Sequence, residues 1–269
     1  MSKPANLTGW RELAYGWRVQ RRVIGALLLR EVVTRYGRQN IGFLWLFVEP
    51  MLFTLVITAL WTATRSVHGS DIPIVAFALT GYSSVVLWRS MPSRTIGALE
   101  SNAPLLFHKQ VKILDVYLAR ILLEIVAAST SFVVLGVLLW AAGWLQPPED
   151  ALKVLGGWLL LAWFGAGLAI CVGALSESID LISKLWPPMS YVVFPLSGAA
   201  FIVDALPESF RDIVLWLPML HAVEFLREGY FGSLMRAHYN LEYLAVWNIA
   251  LTFGALTLVR TLGVPSEEP

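Results

Sequence analysis

The chain has 269 residues, of which 57% are hydrophobic and 14% charged, with a net charge of +1. Soluble domains carry about 25% charged residues, so this composition, with a mean hydropathy of +0.65 and long apolar runs, places the chain in a bilayer and excludes an ordinary soluble domain. It leaves no basic, aromatic-rich module for nucleic acid, no internal disulfide from the one cysteine, Cys171, and no Cys/His cluster at metal-ligand spacing.

The start of the chain is polar and basic and lacks a short apolar core with a small-residue cleavage site. No cleaved signal peptide is expected, and the first span stays in the protein. Residues 10–38 read as an interfacial helix. Trp10, Leu13, Ala14, Trp17, Ile24, Leu27 and Leu28 recur on one face, with Arg11, Arg18 and Arg22 opposite, the pattern of a helix lying in the headgroup plane. Arg21 interrupts the stripe and Gly25 is a break point. Beyond Leu27 the apolar face widens, which predicts a bend into the first span. A basic segment with Arg30, Arg35 and Arg38 then runs into Gly42–Met51.

About 20 apolar residues cross a hydrocarbon core. Six spans follow, at about 41–64, 72–91, 115–141, 152–175, 181–201 and 242–262. Residues 1–40 hold eight Lys or Arg, and the loop after span 2 adds Arg94, Lys109 and Lys112, flanked by Arg89 and Arg120. The opposite side has Arg65, and Glu149 with Asp150. The positive-inside rule therefore puts the N-terminus in the cytoplasm, and six spans return the C-terminus there. The sequence predicts an all-α polytopic membrane protein: an interfacial helix over 1–40, the membrane domain over 41–262 and a tail over 263–269. Residues 202–240 are punctuated by Pro207 and Pro218 and carry several charges. Short re-entrant helices in the outer leaflet fit them best, since irregular backbone at that depth needs protein or water around it.

Several residues invite a role. Glu49-Pro50 lies about a third of the way into span 1. The carboxylate either shapes the inner mouth of a passage or pairs with a basic residue such as Arg38 beside a proline kink. Glu124 in span 3 has the same ambiguity. Trp61, Trp88, Trp140, Trp144, Trp158 and Trp247 lie near span ends, as interfacial belt residues do. Tyr82, Trp88, Trp163, Trp186 and Tyr191 could instead present their ring faces to a ligand. Ala162, Gly165, Ala166, Ala169 and Gly173 permit close helix approach on span 4, within one chain or between two. His221, Glu224, Arg227 and Glu228 could share one helix face, as an anchoring ion cluster or, in an enzyme, as an acid–base pair. In the loop 92–114, Asn102 is a candidate N-cap and Pro104 suits a first turn. No Gly-x-x-x-x-Gly-Lys-[Ser/Thr] loop is present, so nucleotide binding in that form is absent from the chain.

Three stretches resemble the permease subunit of ABC-2 exporters, and more closely those for capsular polysaccharide in Gram-negative bacteria. The first is Leu29-Arg30-Glu31, Arg35-Tyr36-Gly37, Ile41-Gly42-Phe43-Leu44-Trp45 and Glu49-Pro50. The second is Asn102-Ala103-Pro104-Leu105-Leu106-Phe107 with Val111-Lys112. The third runs from Asp180 through Pro195-Leu196-Ser197-Gly198 and Leu206-Pro207 to Pro218, His221, Glu224 and Arg227-Glu228-Gly229-Tyr230-Phe231. Leu217 departs from the pattern, where many such permeases have Asn before Pro.

The resemblance implies a six-span permease acting as a homodimer with two copies of a separate ATPase, which would bind ATP and Mg; no cofactor is expected in this chain. It implies a lipid-linked polysaccharide as substrate, with a periplasmic co-polymerase-type adaptor and an outer-membrane export protein. Asn102, Pro104, Leu105, Leu106, Phe107, Lys109 and Lys112 would form the ATPase contact, seconded by Glu177 and Asp180. Trp45, Glu49 and Pro50 would join the aromatic set along the conduit. The rival readings are a membrane-embedded enzyme acting on lipid-linked sugars, or an ABC-2 permease for O-antigen, teichoic acid or drugs.

Overall fold

In the computed structural model the described residues are 9–36, 42–64, 72–107 and 110–262, and every regular element among them is a helix. Arg38 and Lys109 lie outside the described residues, as do the side chains of Arg35, Trp45, Pro50 and Trp61.

Helix α1, Trp10–Tyr36, runs unbroken through Gly25. The break expected at Gly25 does not occur. Leu27 is buried, and Leu28 and Val32 pack on Leu123 and Ala127 of α5 (Ile113–Ala141), so the widened apolar face is used against that helix. Helix α2 spans Gly42–Thr64, and the Phe47 carbonyl accepts a hydrogen bond of 2.8 Å from Ser131 Oγ on α5.

Among the described residues four helices are long and apolar enough to cross a membrane: α3 (Ile74–Thr95), α5, α6 (Ala151–Ser178) and α10 (Leu241–Thr261). Between α3 and α5 lie a 3-10 turn, Glu100–Asn102, and the one-turn helix α4, Ala103–Leu106. Helix α7, Asp180–Phe194, stops short of residue 201, where the fifth apolar run was expected to end. A π-turn follows at Pro195–Ala199, with Gly198 at φ +84°, a left-handed conformation that ends regular helix. The segment before α10 holds α8 (Glu208–Val214) and α9 (Pro218–Phe231).

Helix α6 is the hub, contacting α3, α9 and α10. The Asp150 carboxylate caps its start by accepting the amides of Leu152 and Lys153. Small residues then let neighbours in. A Cβ on Gly157 would lie 2.7 Å from Leu226 Cβ and 2.8 Å from its nitrogen on α9, and Gly165 and Gly173 give the same access to α3. The small-residue stripe of this helix therefore packs within the chain. Polar bonds pin the contacts: Thr95 Oγ1 donates to the Ala169 carbonyl at 2.7 Å, and Asn248 Nδ2 to the Leu160 carbonyl at 3.2 Å.

Two tryptophans expected in an interfacial belt are core residues instead. Trp88 is 1% exposed. Trp158 stacks on Phe132 at 4.6 Å and donates to Ser129 Oγ at 2.8 Å. Both face the hub contacts of α6, where a large apolar ring gains more from packing than from an interface. Trp140, Trp144 and Trp247 are exposed.

Candidate functional site

The loop between α3 and α5 is bound to four helices. Gly97, at φ +64°, turns the chain out of α3. Arg30 on α1 donates from Nη1 to Asn102 Oδ1, and Asn102 Nδ2 donates to the Ala98 carbonyl at 2.8 Å. Asn102 was expected to cap the next helix, but it makes no side-chain cap bond. Its amide is used sideways, tying the loop to α1. Pro104 does sit in the first turn of α4, where its missing N–H costs nothing.

Arg120 on α5 ties the loop from the other side. It pairs with Glu31 of α1 at 3.3 Å, and donates to the Arg94 carbonyl at 2.8 Å and to Ser101 Oγ at 2.7 Å. Asp115 accepts the Lys112 amide at 3.1 Å and Gln20 Nε2 at 3.0 Å, so one carboxylate starts α5 and docks α1. Glu177, near the end of α6, accepts the Leu99 amide. The second expected contact residue, Asp180, stays apart: it is exposed and pairs with Lys184. Gln20 and Asp115 were not singled out from the sequence, and Glu31 and Arg120 were read only as part of a motif and as a loop charge. Asp115 left a local signal there, an acidic residue three positions after the helix start, as in a capping box. The others act across long sequence distances.

The outer surface of this loop is open. Leu106 is buried, whereas Pro104 is exposed and Phe107 is 51% exposed. An apolar groove of about 580 Å³ runs between α1 and the loop, lined by Val23, Ala26, Leu27, Arg30, Leu105, Gln110 and Val111. The arrangement is a loop braced from α1, α5 and α6 that presents an apolar tip beside a groove.

Of the candidate conduit residues, Trp88 and Trp186 line one apolar pocket of about 280 Å³ together with Ser190 and Trp247. Tyr82 and Trp88 are buried, Tyr82 with its ring 5.6 Å from that of Phe194. Trp163 is exposed and donates to Thr252 Oγ1 at 2.9 Å. Trp186 donates to Ser93 Oγ at 3.1 Å, and Glu49 is exposed on α2. Glu124 pairs with Arg94 at 3.5 Å.

His221, Glu224, Arg227 and Glu228 share α9 but not one charged face. Packing on α3, α6 and α10 buries the first three and splits their partners. Asn240 N–H donates to His221 Nδ1 at 2.9 Å, which puts the proton on Nε2, 2.9 Å from the Leu215 carbonyl. Arg227 donates from Nη1 to the carbonyls of Gly198 and of Phe201, the latter at 2.9 Å. Glu224 accepts the His238 amide at 3.1 Å; burial pushes its carboxyl up to about 7, with Arg227 pulling the other way. Burial draws Arg227 down to about 10, so it stays charged at neutral pH. Glu228 points elsewhere, to Lys153 at 3.1 Å and the Tyr239 hydroxyl at 2.8 Å. Outside α9, the His238 ring lies 2.7 Å from Asp204, holding that carboxyl below its usual range.

Residues 22–231, from mid-α1 to the end of α9, match the family described as ABC-2 type transporter. The chain belongs to that family. Among proteins similar to this ABC-2 chain is the capsule polysaccharide export inner-membrane protein CtrC of Neisseria meningitidis serogroup B, 44% identical over 93% of both chains. Another is the capsule polysaccharide export inner-membrane protein BexB of Haemophilus influenzae, 40% identical over 90% of this chain and 91% of that one. The polysialic acid transport protein KpsM of Escherichia coli is 28% identical over 91% of this chain and 95% of its own. The α1–α4 junction and α9 both lie inside the family match, so the braced loop and the buried arginine belong to the ABC-2 domain itself.

Proposed function

We propose that this ABC-2 chain is the inner-membrane permease subunit of an exporter that moves lipid-linked capsular polysaccharide from cytoplasm to periplasm. The observation that carries the reading is the 44% identity with CtrC over 93% of both chains. In this reading α2 and α7 with its π-turn join the four long apolar helices to make six spans, α1 lies in the inner headgroup plane, and both termini are cytoplasmic. The charge asymmetry of the loops supports that orientation. The permease works as a homodimer with two copies of an ATPase that binds ATP and Mg. A periplasmic co-polymerase-type adaptor and an outer-membrane export protein complete the route.

The coupling contact in this reading is Asn102–Lys112. Its exposed tip, Pro104 and Phe107, enters a cleft on the ATPase, and the Arg30 and Arg120 bonds pass the movement to α1 and α5. Lys109 and Lys112 add charge complementarity to an acidic cleft rim, and Glu177 braces the loop from α6.

The membrane-enzyme reading is disfavoured by the placement of its acid–base candidates. Both ring nitrogens of His221 are engaged, Glu224 is fully buried, and Glu124 is paired with Arg94.

Deleting the gene tests the proposal. Loss of surface polysaccharide with full-length polymer accumulating inside the cell is the expected result. Shortened polymer would instead make the chain part of synthesis, and unchanged surface polymer would defeat the export reading. Charge reversal at Lys109 and Lys112 should uncouple export from ATP hydrolysis while leaving insertion intact.

A further inference from the structure

Arg89 is a cation inside a membrane-crossing helix, six residues before Thr95 at the end of α3, or about 9 Å along the axis. Just inside the end of the apolar run at about 91, a guanidinium faces a partner, the membrane interface or a substrate path. The comparable cations on these helices have carboxylates: Arg94 has Glu124 at 3.5 Å, Arg120 has Glu31 at 3.3 Å, and Lys153 has Glu228 at 3.1 Å. Arg260 sits in the last turn of α10, at a span edge. Among the described residues no carboxylate pairs with Arg89.

What holds Arg89 is polar but neutral. Its Nε donates to Ser190 Oγ at 3.2 Å, while that hydroxyl donates onward to the Pro187 carbonyl at 2.8 Å. The guanidinium lies 3.9 Å from the centre of the Tyr191 ring. Tyr191 is 66% exposed, so the arginine covers one side of the ring and the rest is open. The result is a fixed positive charge beside an accessible aromatic surface on α7. A free inorganic anion has no use for the ring, and a neutral sugar has no use for the charge. A sugar ring bearing an acidic group uses both at once, its C–H-rich face on the tyrosine and its carboxylate on the guanidinium.

We propose that Arg89 and Tyr191 form a subsite that binds acidic sugar units of the exported polysaccharide as the chain passes α7. This rests on the export reading above. Ser190 positions the guanidinium, and Tyr191 supplies the stacking face.

The test is export in cells carrying Arg89→Gln, Arg89→Lys, Tyr191→Leu or Tyr191→Phe, normalised to permease in the membrane. Arg89→Gln and Tyr191→Leu should each lower surface polymer, Arg89→Gln by about tenfold or more. Arg89→Lys and Tyr191→Phe should retain most of it. A photoreactive phenylalanine analogue at position 191 should capture acidic polymer in the presence of Arg89 and lose that capture with Arg89→Gln. Normal export by Arg89→Gln would overturn the proposal. So would equal failure of the Lys and Gln variants, which marks a purely structural role, or capture of phospholipid alone. If deleting the gene abolishes export while Arg89→Gln exports normally, the subsite fails and the export reading stands.

Discussion

The guanidinium of Arg227 lies 3.9 Å from the centre of the Phe77 ring while donating to the carbonyls of Gly198 and Phe201. One fully buried side chain thus joins α3, the π-turn after α7 and α9. The π-turn ends a helix, and the carbonyls freed there need donors; the arginine fork supplies them.

Replacing Arg227 with Met keeps the volume and removes those donors. Each abandoned carbonyl should cost roughly 1–3 kcal/mol, and the buried Glu224 loses its neighbouring charge. Thermal unfolding in detergent should show a midpoint lowered by several degrees. Arg227→Lys should recover only part of it, because a point charge cannot reach both carbonyls. An unchanged midpoint for Arg227→Met would show that the π-turn holds itself.

Glu224 predicts a pH dependence of stability. Its carboxyl is raised from 4.5 to about 7, chiefly by burial. Between those values the folded state holds a proton that the unfolded chain has released. Stability from this group is therefore fully present below about pH 4.5 and lost as pH rises through about 7. The Glu224→Gln variant keeps an acceptor for the His238 amide and cannot ionise. Its unfolding midpoint relative to the parent should rise from pH 5 to pH 8. A difference that stays flat, or falls, contradicts the assignment.

Gly157 marks a close approach of α6 to α9, where any Cβ meets Leu226 at 2.7 Å. Gly157→Val should overpack this contact at a cost of roughly 1–3 kcal/mol. Gly156, one position away, would place its Cβ 3.2 Å from an edge atom of the Phe225 ring. That ring can rotate, so Gly156→Ala should be milder. Comparing detergent-extracted yields and midpoints of the two variants checks the ranking.

Arg30 and Asn102 should be energetically coupled. Each alanine substitution removes the same bond from α1 to the loop, so the double variant should lose little more export than the worse single one. Fully additive losses in a double-mutant cycle would show that the two act independently.

Leu106 and Phe107 are adjacent and should behave differently. Leu106 is buried against the core, and its alanine variant should lose roughly 2 kcal/mol or more of stability. Phe107 is exposed. Phe107→Ala should leave the midpoint near that of the parent while weakening co-purification of the ATPase. Undiminished co-purification would move the contact elsewhere.

The sequence by itself determined that this is a helical membrane protein, and the motifs at Leu29–Pro50, Asn102–Phe107 and Pro218–Phe231 determined its family. Hydropathy is a local property summed over about 20 residues, so apolar stretches can be read from the chain, and Asp150 announced the start of α6 in the same local way. The sequence also marked Arg227, Glu224 and His221 as neighbours on one helix. What only the tertiary structure decided is which partner each polar group takes. Trp88 and Trp158 left the belt because α6 offered them a packed interior. Asn102 left its cap because Arg30, on a distant helix, reached it first. Arg89 gained meaning from Tyr191 and Ser190, which no spacing rule connects to it. In a bilayer nearly every helix face is apolar, so periodicity distinguishes poorly between lipid and protein. The few polar side chains then decide the arrangement, through bonds between residues far apart in the chain.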